Sequence, residues 1–221
     1  MTFLQICQKI SQLSGLHGSM TDVISNKDLQ NKISNSVNES WIQLQLLRKD
    51  WSFMIKRHAF TCQQGIEIYK ASSSTEPEVG IEDLGTYIRD SFFLDHKPLS
   101  YVTSKNYPYI DNTVEAEPKW FTVDPRTNDL YLDLPDSAYV FDVYYRKSVQ
   151  DLFSGSTPNN NIPELPEGYH SILVYGGLSS FAAFIGSPEL YGEWTLEYEK
   201  ILGSMMREFL PSKKINQRSI I

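Results

Sequence analysis

Helical periodicity confined to the two ends of the chain, with an aromatic-rich stretch of β alternation between them, is the pattern that most restricts the fold. Phe3, Ile6, Cys7, Ile10 and Leu13 recur at helical spacing, and Gly15 follows as a C-cap. After a short polar loop, Leu29, Ile33, Val37, Trp41 and Leu44 trace one stripe of a longer helix, with Ser25 or Asn26 available as its cap. At the other end, Pro163-Glu164-Leu165-Pro166-Glu167 leads into a third helix, with Pro166 in its first turn. Its apolar positions are Tyr169, Ile172, Leu173, Gly176, Phe181 and Phe184. Gly176-Gly177 costs that helix about 1–2 kcal/mol relative to alanine. Close passage of a neighbouring helix is the reason such a pair is tolerated. Gly186-Ser187-Pro188-Glu189 breaks the pattern and restarts it, Ser187 as N-cap and Pro188 at the first helical position. Leu190, Trp194, Tyr198, Ile201 and Met205 mark the buried stripe of the fourth helix, and Pro211 ends it.

Between these ends the period changes to two. Residues 55–62 and 66–69, with Gly65 between them, read as a hairpin. Residues 71–80 lack periodicity and read as a mobile surface loop. Further strands are expected at 88–94 and 99–102. Residues 120–123, 130–134 and 139–145, separated by the turn residues of 124–129 and 134–137, are expected to form an antiparallel meander. Residues 154–161 are a polar linker back to the helices. The expected fold is α+β: a bundle of four helices (two N-terminal, two C-terminal) with a central antiparallel β insertion. Residues 1–50 and 162–211 make the helical domain, and residues 51–153 the β-rich module.

Composition narrows the function by exclusion. A hydrophobic share of 41% provides for a core, and a net charge of −7 argues against a dedicated nucleic-acid binder. A negative wall would suit a passage for DNA, because it does not hold phosphates. Aromatics at 13% fit either contact surfaces or an aromatic β core. Cys7 and Cys62 share no ligand spacing and are expected as buried free thiols. The first residues lack a basic, apolar leader, and no run is long enough to span a membrane, so a soluble protein made in a reducing cytoplasm is expected.

Catalytic chemistry is not evident. His17, His58, His96 and His170 share no metal-ligand spacing, and His170 is expected as a polar surface or interface residue. Glu76, Glu78, Glu82 and Asp83 form the densest acidic cluster, but paired catalytic acids need a rigid, partly buried setting. A solvated charge run is the expectation there, and Asp124 and Asp136 are expected as turn residues. Neither a phosphate-binding glycine loop nor a nucleophile elbow is present. No catalytic residue, cofactor or metal is expected. The tail from residue 212 is either a solvated terminus or a segment that orders on a partner, as its Ile215, Ile220 and Ile221 suggest.

Three stretches in this order resemble the head-to-tail adaptor (connector) proteins of tailed bacteriophages, of the tail-tubular-A type. The first is Val37-Asn38-Glu39-Ser40-Trp41-Ile42-Gln43-Leu44-Gln45 running to Trp51-Ser52-Phe53. The second is Asp90-Ser91-Phe92, then Trp120-Phe121-Thr122-Val123 and Leu134-Pro135-Asp136-Ser137-Ala138-Tyr139. The third is Ile162-Pro163-Glu164-Leu165-Pro166-Glu167-Gly168-Tyr169-His170, then Tyr175, Gly186-Ser187-Pro188-Glu189-Leu190 and Tyr198. The resemblance covers roughly residues 2 to 211. It implies a non-enzymatic virion protein at the head–tail junction. Identical subunits, commonly twelve, would form a ring under the portal protein, extend the DNA channel without sequence-specific binding, and receive the next tail or nozzle protein. It implies that residues 212–221 are a docking tail reaching the portal through Lys213, Lys214, Ile215, Arg218, Ile220 and Ile221. Trp41, Trp51, Tyr169, Tyr191 and Trp194 are candidates for the contact between subunits, with burial in the core as the alternative for each. The rival readings are a tail-side neck or tail-completion protein and, from another class, a virion-associated hydrolase.

Overall fold

The computed structural model describes residues 1–16, 20–24, 27–71, 77–107 and 114–210. Two compact units emerge: Met1–Phe53 with Val149–Ile221, and Met54–Ser148. The architecture is α+β, with four α-helices and two four-stranded sheets among the described residues.

The first unit holds the helices α1 (Phe3–Leu13), α2 (Asp28–Leu47), α3 (Ser171–Ile185) and α4 (Pro188–Phe209). Thr2 caps α1 through a capping box with Gln5, satisfying two otherwise unpaired N–H groups, and Gly15 follows with φ 71°. The candidate cap at 25–26 of α2 lies outside the described residues. Helix α3 packs against α1, α2 and α4. Phe3, Ile6 and Ile10 of α1, Ile33, Val37, Trp41 and Leu44 of α2, and Ile172, Leu173, Leu178 and Phe181 of α3 are buried together. Each such side chain contributes about 1.5–3 kcal/mol of transfer free energy. The segment 154–161 is more than a linker. Asn161 accepts the Phe3 N–H at 2.7 Å through its carbonyl, and its side-chain amide donates to the carbonyls of Leu152 and Ser154.

The second unit holds β1 (Ile55–Thr61), β2 (Ile68–Tyr69), β3 (Leu84–Leu94), β4 (Lys97–Pro98), β5 (Ser100–Tyr101), β6 (Trp120–Val123), β7 (Leu130–Leu132) and β8 (Val140–Lys147). One sheet runs β1-β8-β3-β4 and the other β2-β7-β6-β5, and all pairs are antiparallel except β5 with β6. Two sequence expectations fail here. β1 does not form a hairpin with β2: it pairs with β8, whereas β2 adds to β7. The meander also stops after β6–β7, because β8 crosses to the other sheet and becomes its inner strand between β1 and β3. Side-chain complementarity explains the exchange. β8 alternates inward Phe141, Val143 and Tyr145 with outward residues, and Phe141 stacks on Phe60 of β1 at 5.2 Å between ring centres. Phe92 of the first sheet stacks on Phe121 of the second at 3.8 Å, so both sheets share one aromatic core.

Within β3 the pairing with β8 shifts between Tyr87 and Phe92. The Ser91 hydroxyl fills the gap in the ladder, its one proton shared between the carbonyls of Ile88 and Tyr144 and its oxygen accepting the Tyr144 N–H at 3.2 Å. Such a bulge redirects the side chains around it.

Candidate assembly surface of the helical unit

Helix α3 is apolar on most of its circumference, which suits an element with neighbours on several sides. The Gly176-Gly177 pair marks the closest approach. A Cβ on Gly177 would lie 2.6 Å from Ile10 Cδ1 and 3.1 Å from Val37 Cγ2, and one on Gly176 would collide with the Ser40 hydroxyl. The close passage expected from the glycines is therefore present, with α1 and α2 as the helices that use it.

On the other side of Gly176, α2, α3 and α4 border a groove of about 520 Å³. Ser36, Ser40 and Ser179 contribute hydroxyls, Tyr191 and Tyr198 contribute rings, and Glu39 and Glu199 contribute charge. Ser179 and Thr195 bridge α3 to α4 through a 2.7 Å hydroxyl pair. Burial raises the Tyr198 pKa, keeping its hydroxyl protonated. The lining includes no histidine or cysteine to serve as a base or nucleophile near neutral pH.

Helix α4 is less covered than its sequence stripe suggests. Trp194 and Met205 are buried, Tyr198 and Ile201 are half-buried, and Leu190 is exposed. Its first turn and the end of α3 leave Phe184 (55% exposed), Ile185, Leu190 and Tyr191 (46% exposed) open around the turn at Gly186. Gly186 makes that turn in the left-handed conformation, φ 71°, that glycine adopts without strain. Lys32 of α2 lies 4.7 Å from the Phe184 ring centre. A contiguous apolar corner of this kind marks a contact surface more often than a scattered exposed leucine does.

The five aromatic candidates divide accordingly. Trp41 and Trp51 are fully buried in the unit, stacked with Phe53. The Trp41 N–H donates to Gln150 Oε1 at 3.2 Å, and the Trp51 N–H donates to the Leu44 carbonyl at 2.8 Å. Both therefore belong to the core of the helical unit and have no exposed surface. Trp194 is nearly buried as well. Tyr169 is half-buried, donates its hydroxyl to the Glu208 carboxylate and meets Phe209 edge-on at 5.3 Å. Tyr191 alone of the five is well exposed. Phe184, Ile185 and Leu190, which share its corner, were not singled out as contact residues, although a Gly-Ser-Pro break between two apolar dipeptides was their signal. Lys213, Lys214, Ile215, Arg218, Ile220 and Ile221 lie outside the described residues.

His170 is not a surface residue. It is 2% exposed, its Nδ1 lies 2.6 Å from the Met1 amino group and its Nε2 2.8 Å from the Leu165 carbonyl. Burial lowers its pKa below the usual 6.5, so the neutral ring with Nε2–H donating to Leu165 fits the site.

Several carboxylates of the β unit sit in ion pairs. Asp83 pairs with Lys56 at 2.7 Å, Asp142 with Arg57 at 2.8 Å and Asp129 with Lys70 at 3.2 Å. Asp124 accepts the Arg126 N–H across its turn at 2.8 Å, the turn role expected of it. Both cysteines are buried and free, and burial raises the Cys7 pKa to about 12. Among the described residues, no group of three His, Cys, Asp or Glu could hold a metal ion, and no helix is long and apolar enough to cross a membrane.

No curated protein matches the chain. The SU10 adaptor protein family matches it over residues 1–218, nearly its full length and both structural units. This chain belongs to the SU10 adaptor protein family, and is a structural adaptor protein of a bacteriophage.

Proposed function

We propose that identical copies of this protein form a ring under the phage portal, join head to tail and extend the passage for DNA. The full-length family match carries this reading. Ring closure uses heterologous contacts, one face of a subunit against a different face of its neighbour. In this reading the apolar corner at Phe184, Ile185, Leu190 and Tyr191, together with the groove of α2, α3 and α4 that Tyr191 also lines, is one such face. The negative balance of the chain favours passage of DNA over its retention. The segment 212–221, basic and isoleucine-bearing, reaches the portal. Twelve copies is the expected ring.

The test is to mix the purified chain with the portal ring of the same genome and image the product by electron microscopy. Added density on the outer end of the portal, lost on deletion of residues 212–221, is the expected result. Binding to purified tails with no binding to the portal would move the assignment to a tail-side neck protein. Tyr191→Asp should leave the protomer folded, as an exposed site does, and abolish rings. Rings that persist with Tyr191→Asp would remove this corner from the interface.

A further inference from the structure

The β unit contains a hollow of about 430 Å³ lined by two exposed basic residues, Arg89 and Lys105. Arg89 comes from the bulged part of β3, and Lys105 from the loop after β5. Neither has a carboxylate partner among the described residues; Arg89 lies over the Tyr101 ring, 4.8 Å from its centre. Lys56, Arg57, Lys70, Lys97 and Arg126 of the same unit are each matched to an acid. Thr86, Thr103 and Ser104 add hydroxyls to the same walls. Tyr87 is also part of the lining, and its buried hydroxyl has no hydrogen-bond partner. Buried polar groups are satisfied in the great majority of cases, so this orphan hydroxyl is a second, independent sign of a missing acceptor; the carboxylate that acts on it, Asp129, is engaged by Lys70. An adjoining hollow of about 320 Å³ shares Ser104 and Pro125 and has the other orphan, Thr122 Oγ1, in its wall.

We propose that this hollow is a phosphoryl-binding site, with Arg89 and Lys105 supplying charge and the threonine and serine hydroxyls supplying neutral donors. A phosphoryl group suits the lining better than a carboxylate. It presents three acceptor oxygens in a pyramid, whereas a carboxylate presents two in a plane, and the walls hold more donors than two oxygens can use. Arg89 lies within the shifted part of β3, where Ser91 bonds the Tyr144 backbone in place of ladder pairing. The phosphoryl group has two possible sources, a free phosphate anion or the backbone of a nucleic acid. This inference concerns the β unit and does not depend on which end of the neck the ring occupies.

The experiment titrates the full chain with inorganic pyrophosphate by calorimetry at low salt, then repeats the titration in the presence of a short single-stranded DNA oligonucleotide. Saturable binding is expected. Arg89→Gln and Lys105→Gln should each weaken it about tenfold, and Arg89→Lys should weaken it less. Lys97→Gln, which removes a cation outside the hollow, should leave it unchanged. Because pairs at an open site are screened, binding should fall as salt rises. Competition by the oligonucleotide assigns the source to nucleic acid; pyrophosphate binding without competition assigns it to a free anion. No binding, binding indifferent to both Gln substitutions, or binding of a polyglutamate peptide in place of pyrophosphate would overturn the proposal. Circular dichroism melts of each variant separate loss of the site from loss of the fold.

Discussion

Gln45 offers the sharpest test of how the helical unit closes on itself after the β excursion. It is fully buried on α2, and its side-chain amide holds the returning chain. Oε1 accepts the Gln150 N–H at 2.8 Å, while Nε2 donates to the Gln150 carbonyl at 3.0 Å and to the Trp41 carbonyl at 3.2 Å. Gln45→Met keeps the length and nearly the volume of the side chain, so the packing term is below about 1.5 kcal/mol. What it removes is the pairing. Leaving one backbone N–H and one carbonyl without partners in a partly buried seam costs about 1–3 kcal/mol for the first group, with a smaller cost for the second. The expected destabilisation is therefore about 2–4 kcal/mol. Urea unfolding followed by tryptophan fluorescence reads it well. Trp41, Trp51 and Trp194 belong to this unit and only Trp120 to the other, so the signal reports mainly the part that is perturbed. With an m-value of about 2 kcal/mol per molar, the midpoint should fall by roughly 1–2 M. A shift under about 0.25 M, with the m-value unchanged, would mean that the seam is held by apolar packing and that the amide pairings are incidental.

Three further outcomes follow from particular contacts. Gly177→Leu should destabilise the helical unit by about 1–3 kcal/mol, despite the helix propensity it gains, because the new side chain meets Ile10 and Val37; an unchanged melting temperature would show that α1 yields freely. His170 is buried with a pKa below its unfolded value of about 6.5, so the unfolded state binds the proton more readily. Stability is then highest above pH 6.5 and declines as pH falls through 6.5 toward the folded pKa; urea midpoints at pH 8 and pH 5 should differ less in His170→Gln, and equal differences would remove His170 as the cause. Cys7, with its pKa raised to about 12 and no exposure, should react with a thiol reagent at pH 8 only on unfolding; native-state labelling at the rate of a free thiol would contradict its placement.

The order of elements was legible because local chemistry sets it. Gly15, Gly186 and Ser187-Pro188 punctuate the helices through their own backbone preferences, and such signals survive without tertiary context, whereas the Thr2–Gln5 capping box was not read from the sequence. The fold class and the adaptor family followed from that order. Strand partnership was not legible. β8 pairs with β1 and β3, from which it is separated by scores of residues, and its cross-strand match of Phe141 to Phe60 forms only once those distant strands lie side by side. The same limit applied to surface and core. An amphipathic pattern says that Trp41, Tyr191 and Trp194 each belong to an apolar face, but not how much of that face a neighbouring helix covers. Coverage is set by the arrangement of helices around α3, which buries Trp41 completely and leaves Tyr191 in the open. The cationic hollow, likewise, brings Arg89 and Lys105 together from separate strands and loops, so no sequence spacing announces it. Residue periodicity and capping thus determined which elements form and in what order; the tertiary structure alone decided which faces meet, because contact between distant segments depends on complementary shape that no local pattern encodes.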